Sequence, residues 1–307
     1  MIILGRKEEG QTHIELEWQY QNQSGNTLKS FLKQHGISHR MFLSLRATGD
    51  FRVNDRSVTS NVALHPGDVV KVSLPAESSD PNVVASSQPL DIIHEDANWL
   101  VVNKPAGLTS VPGPSNRQDT LVNRIKGHLL AEGSQDLRPH LITRLDRFTS
   151  GVVLVAKHRI ANSLANQQVM NHAIEKHYLA LAQGAFDDEH GLIDFPIGKQ
   201  DDEIKRHRMA AGQSAKTEYW VVKRFSDYTQ LLLQLHTGRT HQIRVHLSET
   251  GHPLLGDQLY GGPLDAGIDR QALHACSIKF YDPFSERFVQ YEAPIPNDIA
   301  VLIDRED

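Results

Sequence analysis

Residues 144–151 read Arg-Leu-Asp-Arg-Phe-Thr-Ser-Gly and run straight into an unbroken apolar stretch at 152–155. A short continuous apolar run after a polar turn predicts a strand buried within a sheet. Whatever sheet this strand joins, one carboxylate, Asp146, must then sit beside its mouth between Arg144 and Arg147. A second motif, His-Thr-Gly-Arg-Thr-His-Gln-Ile-Arg-Val-His-Leu at 236–247, sets Arg239 after a glycine, where a strand-like pattern gives way to a helix-like one. Gly238 permits a sharp turn, Thr240 is placed to cap the helix, and Ile243 and Leu247 share a helical face. A guanidinium on that turn can bond a carboxylate twice. Carboxylate and arginine, both on turns backed by regular elements, are what nucleophilic catalysis by an aspartate requires.

Composition sets the outer limits. With 307 residues, 39% hydrophobic and 22% charged, the chain can bury a sizeable core, and one larger domain with a smaller one is expected. The net charge of −5 argues against non-specific coating of nucleic acid but leaves room for a local basic groove. A single cysteine, Cys276, cannot form an internal disulfide and fits a reducing compartment. No apolar stretch approaches membrane-spanning length, and the first residues are too weakly apolar for a signal peptide. A cytoplasmic protein is the expectation.

The alternation in His-Ile-Glu-Leu-Glu-Trp at 13–18 predicts an opening strand. Helices follow at 27–35, stopped by Gly36, and at about 39–48, then two short strands about an Asn54-Asp55 turn and a last strand before Pro75. This order resembles a small RNA-binding module first known from a small-subunit ribosomal protein. The resemblance covers about residues 25–75 and implies that residues 12–75 form an RNA-binding module, with Arg40 and Arg46 of the second helix facing phosphates. Residues 76–89, rich in Ser, Pro and small polar side chains, read as a linker. Residues 90–295 hold more strand than helix patterns with short connections, which predicts an α+β domain on a central, largely antiparallel mixed sheet with flanking helices. Residues 296–307 read as a surface segment.

Taken alone, an Arg-Leu-Asp triplet reads as a turn-stabilising ion pair between Asp146 and Arg144. Five segments in one order change that reading: Asn-Trp-Leu-Val-Val-Asn-Lys-Pro-Ala-Gly-Leu at 98–108, the run 140–158 through Asp146, Lys-His-Tyr-Leu-Ala-Leu-Ala-Gln-Gly at 176–184, the run 237–257, and Gln-Ala-Leu-His-Ala-Cys-Ser-Ile-Lys-Phe at 271–280. Together they resemble the RluA-type family of pseudouridine synthases, over about 89–294. The resemblance implies isomerisation of uridine in rRNA or tRNA, no cofactor, and a target base flipped out of its helix. It makes Asp146 the nucleophile and Arg239 its partner, and places Tyr178 beside the flipped base. Tyr178 is read as a stacking residue, because an unperturbed phenol near pKa ~10 is a poor base at neutral pH. Phe148 departs from the family, in which an acidic residue is frequent at that position.

Other cations are assigned to RNA. Arg144 and Arg147 flank the nucleophile. Lys205, Arg206 and Arg208 lie in a mixed polar run, 194–219, that reads either as a solvated loop or as an arm tracking the RNA backbone. Arg244 and His246 are read as phosphate contacts or solvated surface. His236, His241 and His246 recur every five residues, which is not metal-ligand spacing, so no metal is expected. Two rival readings remain: a non-catalytic RNA-binding protein, which has no need for Asp146 with Arg239, and a nucleoside or glycoside hydrolase. The hydrolase needs a second carboxylate, and the nearest candidate, Asp257, reads as a structural cap. The expected partner is RNA, with neither membrane nor metal, and the chain is taken as a monomer.

Overall fold

The computed structural model describes residues 2–8, 11–21, 27–48, 50–58, 61–114, 116–200 and 203–305. Its first unit comprises β1 (Ile2–Glu8), β2 (Gln11–Gln19), α1 (Leu28–Gln34), α2 (His39–Thr48), β3 (Asp50–Val53), β4 (Arg56–Ser57) and β5 (Val69–Leu74). The strands pair antiparallel in the order β1-β2-β5-β3-β4. The β3–β4 turn has both central residues at positive φ, Asn54 at 51° and Asp55 at 62°, the mirror-image turn whose twist matches a hairpin. Thr27 caps α1, and Leu28, Phe31 and Leu32 bury against Leu16, Trp18 and Val72 of the sheet. Strand β1 was not expected, because 2–8 carry no alternation of apolar and polar residues.

The larger unit follows as β6 (Ile92–Glu95), β7 (Trp99–Lys104), α3 (Leu121–Ala131), β8 (His140–Leu141), β9 (Ser150–Ala156), α4 (Arg159–Met170), β10 (Glu175–Gln183), β11 (His190–Asp194), β12 (Ile197–Lys199), β13 (Arg206–Arg208), β14 (Lys216–Arg224), β15 (Tyr228–Leu235), α5 (Gln242–Glu249), a 3-10 turn (Gln258–Tyr260), β16 (Leu273–Asp282), β17 (Arg287–Glu292) and α6 (Asn297–Ile303). Ten strands form one sheet along β11-β14-β15-β10-β16-β9-β7-β6, with β17 beside β16 and β8 beside β9. Among the described residues only β9 and β16 pair in parallel, so the sheet is mixed and mostly antiparallel, as the patterning predicts. Every residue of β9 is buried. Val153 and Val155 face the core containing α3 and α5, while Val152 and Leu154 face the one containing Trp99, Phe280 and α4. Gly151, at φ 115°, opens the strand where a Cβ would collide with the Ala275 carbonyl of β16.

Three expectations need correction. Residues 296–307 are not merely surface: α6 buries Ile299 and Leu302, each 0% exposed, and Tyr228 donates its hydroxyl to the Leu302 carbonyl at 2.7 Å. The run 194–219 is not a plain loop, since β12 and β13 pair as a hairpin inside it. Residues 76–89 form neither helix nor strand, but they are fastened down. Glu77 bonds His140 at 2.7 Å and lies near Arg159, while Asn123 and Lys126 of α3 bond the Val84 and Val83 carbonyls. The small unit also rests on α4, whose Ile160 joins its core and whose Leu164 packs against it.

Candidate active site

The loop between β8 and β9 carries Asp146, and its backbone is held from several directions. Ser110 donates its hydroxyl to the Leu145 carbonyl at 2.8 Å. Lys104, at the end of β7 and fully buried, directs its ammonium to the carbonyls of Pro105 (2.9 Å), Leu108 (2.8 Å) and Arg147 (3.1 Å). Burial lowers the Lys104 pKa to about 7, against the attraction of Asp146 and with added repulsion from Arg270. Arg270, held by Asp298 of α6 at 2.6 and 2.8 Å, donates to the Phe148 carbonyl at 3.1 Å. A carboxylate on a loop so tied is a pre-set group rather than a solvent-facing one.

Asp146 meets a guanidinium, and it is that of Arg244. Arg244 Nη1 lies 3.3 Å from Asp146 Oδ2, while its Nε and Nη2 bond both oxygens of Asp257 at 2.7 and 2.8 Å. Burial works against the Arg244 charge, but the bonds and charges of Asp257 and Asp146 outweigh it and raise the pKa. Arg239 does not make the predicted pair. Its Nε donates to the Ser214 carbonyl at 2.9 Å and its backbone N–H to Gln242 Oε1 at 3.0 Å. The helix starts later than expected, with His241 in the left-handed region (φ 57°, ψ 20°) as its N-cap rather than Thr240. Arg244 and His246 are buried, at 8% and 0% exposure, so neither is solvated surface, and Arg244 directs its guanidinium to two carboxylates. Asp257 does cap, accepting from the Tyr260 N–H, in addition to pairing with Arg244.

These groups line a cleft of about 760 Å³ that includes Asp146, Arg144, Arg147, Tyr178, Arg239 and Arg244. Tyr178 is buried on β10, and burial, followed by the charges of Asp146 and Cys276, pushes its pKa up, away from a base. His241 Nε2 is 3.9 Å from Asp146 and its Nδ1 is 2.9 Å from the Tyr260 hydroxyl, with burial lowering its pKa. Lys176, two residues before Tyr178 and so on the same strand face, also lines the cleft, with its pKa lowered by burial. Neither His241 nor Lys176 was singled out as functional, since isolated cations on a helix start and a strand have no local signature. Arg144 and Arg147 are exposed at the rim.

The remaining candidates lie outside the cleft lining. Lys205 stands over the Tyr260 ring at 5.3 Å, the Arg206 N–H donates to the Tyr260 hydroxyl at 2.8 Å, and Arg208 covers the Phe195 ring at 4.8 Å. This puts the β12–β13 hairpin against the 3-10 turn that also carries Asp257. Arg40 and Arg46 are exposed on α2. Among the described residues, Glu95, His128 and Glu132 are spaced closely enough for a metal ion, but Lys157 already bonds Glu95 at 2.6 Å.

The site thus sets one carboxylate against a buried arginine beside a mixed, mostly antiparallel sheet. Residues 98–249, which span Asp146, Tyr178 and Arg244, match the family model described as RNA pseudouridylate synthase. Across 92% of its length the chain is 39% identical to the uncharacterized RNA pseudouridine synthase YjbO of Bacillus subtilis (strain 168), covering 99% of that protein. It is 37% identical, over 82% of its length, to the ribosomal large subunit pseudouridine synthase D of Nitrosomonas europaea, covering 75% of it. The solved structure of human RNA pseudouridylate synthase domain containing 1 superposes with a TM-score of 0.57 and 26% identity, over 68% of this chain and 85% of that one. The chain belongs to the RluA-type RNA pseudouridylate synthase family, and is thus an isomerase.

Proposed function

We propose that this protein converts specific uridines of ribosomal or transfer RNA to pseudouridine, with Asp146 as nucleophile. The observation that carries the reading is the Asp146–Arg244–Asp257 chain. Arg244 is fixed on one edge by a buried carboxylate and offers its other edge to Asp146, so the nucleophile is oriented before RNA arrives. A flipped uridine entering the cleft presents its anomeric carbon to Asp146. Attack there forms a carboxylate–C1′ bond and breaks the C1′–N1 bond, and the electron pair leaves with uracil. The uracil turns within the cleft and C5 bonds C1′, releasing Asp146. The C5 proton is then lost and N1 gains one, so the product is an isomer of the substrate.

Tyr178 supports the base by stacking, since its raised pKa removes it as proton acceptor at neutral pH. Arg144, Arg147 and Arg239 contact the RNA at the rim. Residues 12–75 act as the RNA-binding module, with Arg40 and Arg46 of α2 on phosphates, and Lys205, Arg206 and Arg208 flank the cleft as a second contact. Residues 90–295 together with α6 form the catalytic domain. The working form is a cytoplasmic monomer. Release of tritium from RNA labelled at C5 of uridine, incubated with the purified protein, tests the reading.

A further inference from the structure

Phe148 is the exposed aromatic nearest in sequence to the nucleophile. The ring is 44% exposed and stands beside the exposed cation of Arg147. Arg147, which lines the cleft, places its guanidinium 5.0 Å from the ring centroid. The backbone beneath is rigid: Lys104 and Arg270 hold the successive carbonyls of Arg147 and Phe148, and Asp298 of α6 holds Arg270. Only Arg147 separates Phe148 from Asp146, so their Cα atoms are at most about 7 Å apart. Phe148 is not among the residues lining the cleft, so its ring stands beside the cleft and not in it. Exposed Arg144 and Arg147 have no carboxylate partner among the described residues, which makes the surroundings of the ring cationic and suits a polyanion rather than an apolar protein surface.

We infer that Phe148 is a stacking platform for the RNA base adjoining the target uridine, and so a specificity-determining residue of this enzyme. A carboxylate at this position would have no face for a base to stack on. A phenylalanine instead offers a π-face to any base, with affinity set by how well that base unstacks from its helix. The Arg147 guanidinium covers part of the ring and fixes its tilt. The inference rests on the reading of uridine in RNA as substrate.

The test is a binding cycle between side chain and base. A labelled RNA fragment containing a uridine that the full-length protein converts is prepared intact, and with an abasic nucleotide on either side of that uridine. Dissociation constants are measured for the wild type, Phe148→Ala, Phe148→Leu and Phe148→Tyr. The inference predicts about tenfold weaker binding of intact RNA by the Ala and Leu variants and near-wild-type binding by Tyr. The penalty of the abasic change on one side should shrink to under about twofold in Phe148→Ala, because the two partners of one contact have then both been removed. Independent, multiplying penalties on both sides, or unchanged affinity in Phe148→Ala and Phe148→Leu, would overturn it while leaving uridine conversion intact. Failure of the wild type to convert any uridine would overturn both readings at once.

Discussion

Arg244 links two carboxylates: its outer edge is 3.3 Å from Asp146, and its inner edge bonds both oxygens of Asp257 at 2.7 and 2.8 Å. Asp257 is 1% exposed, so the inner pair is fixed and the outer contact inherits its geometry. A lysine has no planar fork and cannot hold both. Arg244→Lys is therefore expected to lower kcat by about ten- to a hundredfold, the worth of a charge-assisted hydrogen bond. Arg239→Lys, whose parent side chain holds a carbonyl instead of Asp146, is expected to act through KM and by less than about tenfold. Steady-state tritium release separates the two; equal effects on kcat would contradict the assignment.

Removing one member of a buried pair leaves the other charge stranded. Asp257→Asn is expected to destabilise the fold by about 3 kcal/mol or more, read as a lower urea midpoint at unchanged slope. A loss of activity with unaltered stability would mean that Asp257 serves only the chemistry.

His158 supplies a pH dependence. Its Nδ1 accepts the Ala161 N–H at the start of α4 and its Nε2 pairs with Asn98 Oδ1 at 3.0 Å, an arrangement that only the neutral ring satisfies. Burial lowers its pKa to about 4, with His140 adding repulsion. The folded state thus refuses a proton that the unfolded chain accepts below about 6.5. Stability is present above that pH and is lost as pH falls toward 4, by about 3 kcal/mol for this group alone. Urea unfolding between pH 7 and 4.5 should show a shallower loss in His158→Asn, which keeps a helix cap without titrating.

Much of this architecture is legible in the residues. The unbroken 152–155 run identifies a strand buried on both faces, and Asn54-Asp55 identifies a hairpin turn. What stayed hidden depends on contacts remote in sequence. Nothing local distinguishes Arg239 from Arg244 as the partner of Asp146; Arg244 is buried between Asp146 and Asp257, contacts that the motif itself does not announce. The tail at 296–307 conceals an apolar face, Ile299, Leu302 and Ile303, that becomes meaningful only once Leu179, Leu181 and Phe225 are there to receive it. The serine- and proline-rich 76–89 has linker composition, yet its backbone and Glu77 find partners on α3 and β8 that composition cannot foretell.

Leu302 is wholly buried beneath the strand that carries Tyr228, so α6 is part of the fold. Leu302→Ala is expected to cost about 2–5 kcal/mol in unfolding free energy. A change within experimental error would return the tail to the role of a surface segment.

Salt dependence tests the small unit. If Arg40 and Arg46 neutralise phosphates, Arg40→Ala and Arg46→Ala should each reduce the slope of log affinity against log salt by about one. Slopes identical to wild type would leave α2 without an RNA role.

The most direct measurement compares the wild-type chain with Asp146→Asn on RNA tritiated at C5 of uridine, alongside their affinities for the same RNA. The substitution preserves size and removes the charge that attacks carbon. The expected result is tritium release by the wild type, none detectable from Asp146→Asn, and affinities within about threefold of each other, since binding rests on other contacts. Release by Asp146→Asn at a rate comparable to wild type would contradict the account at its centre.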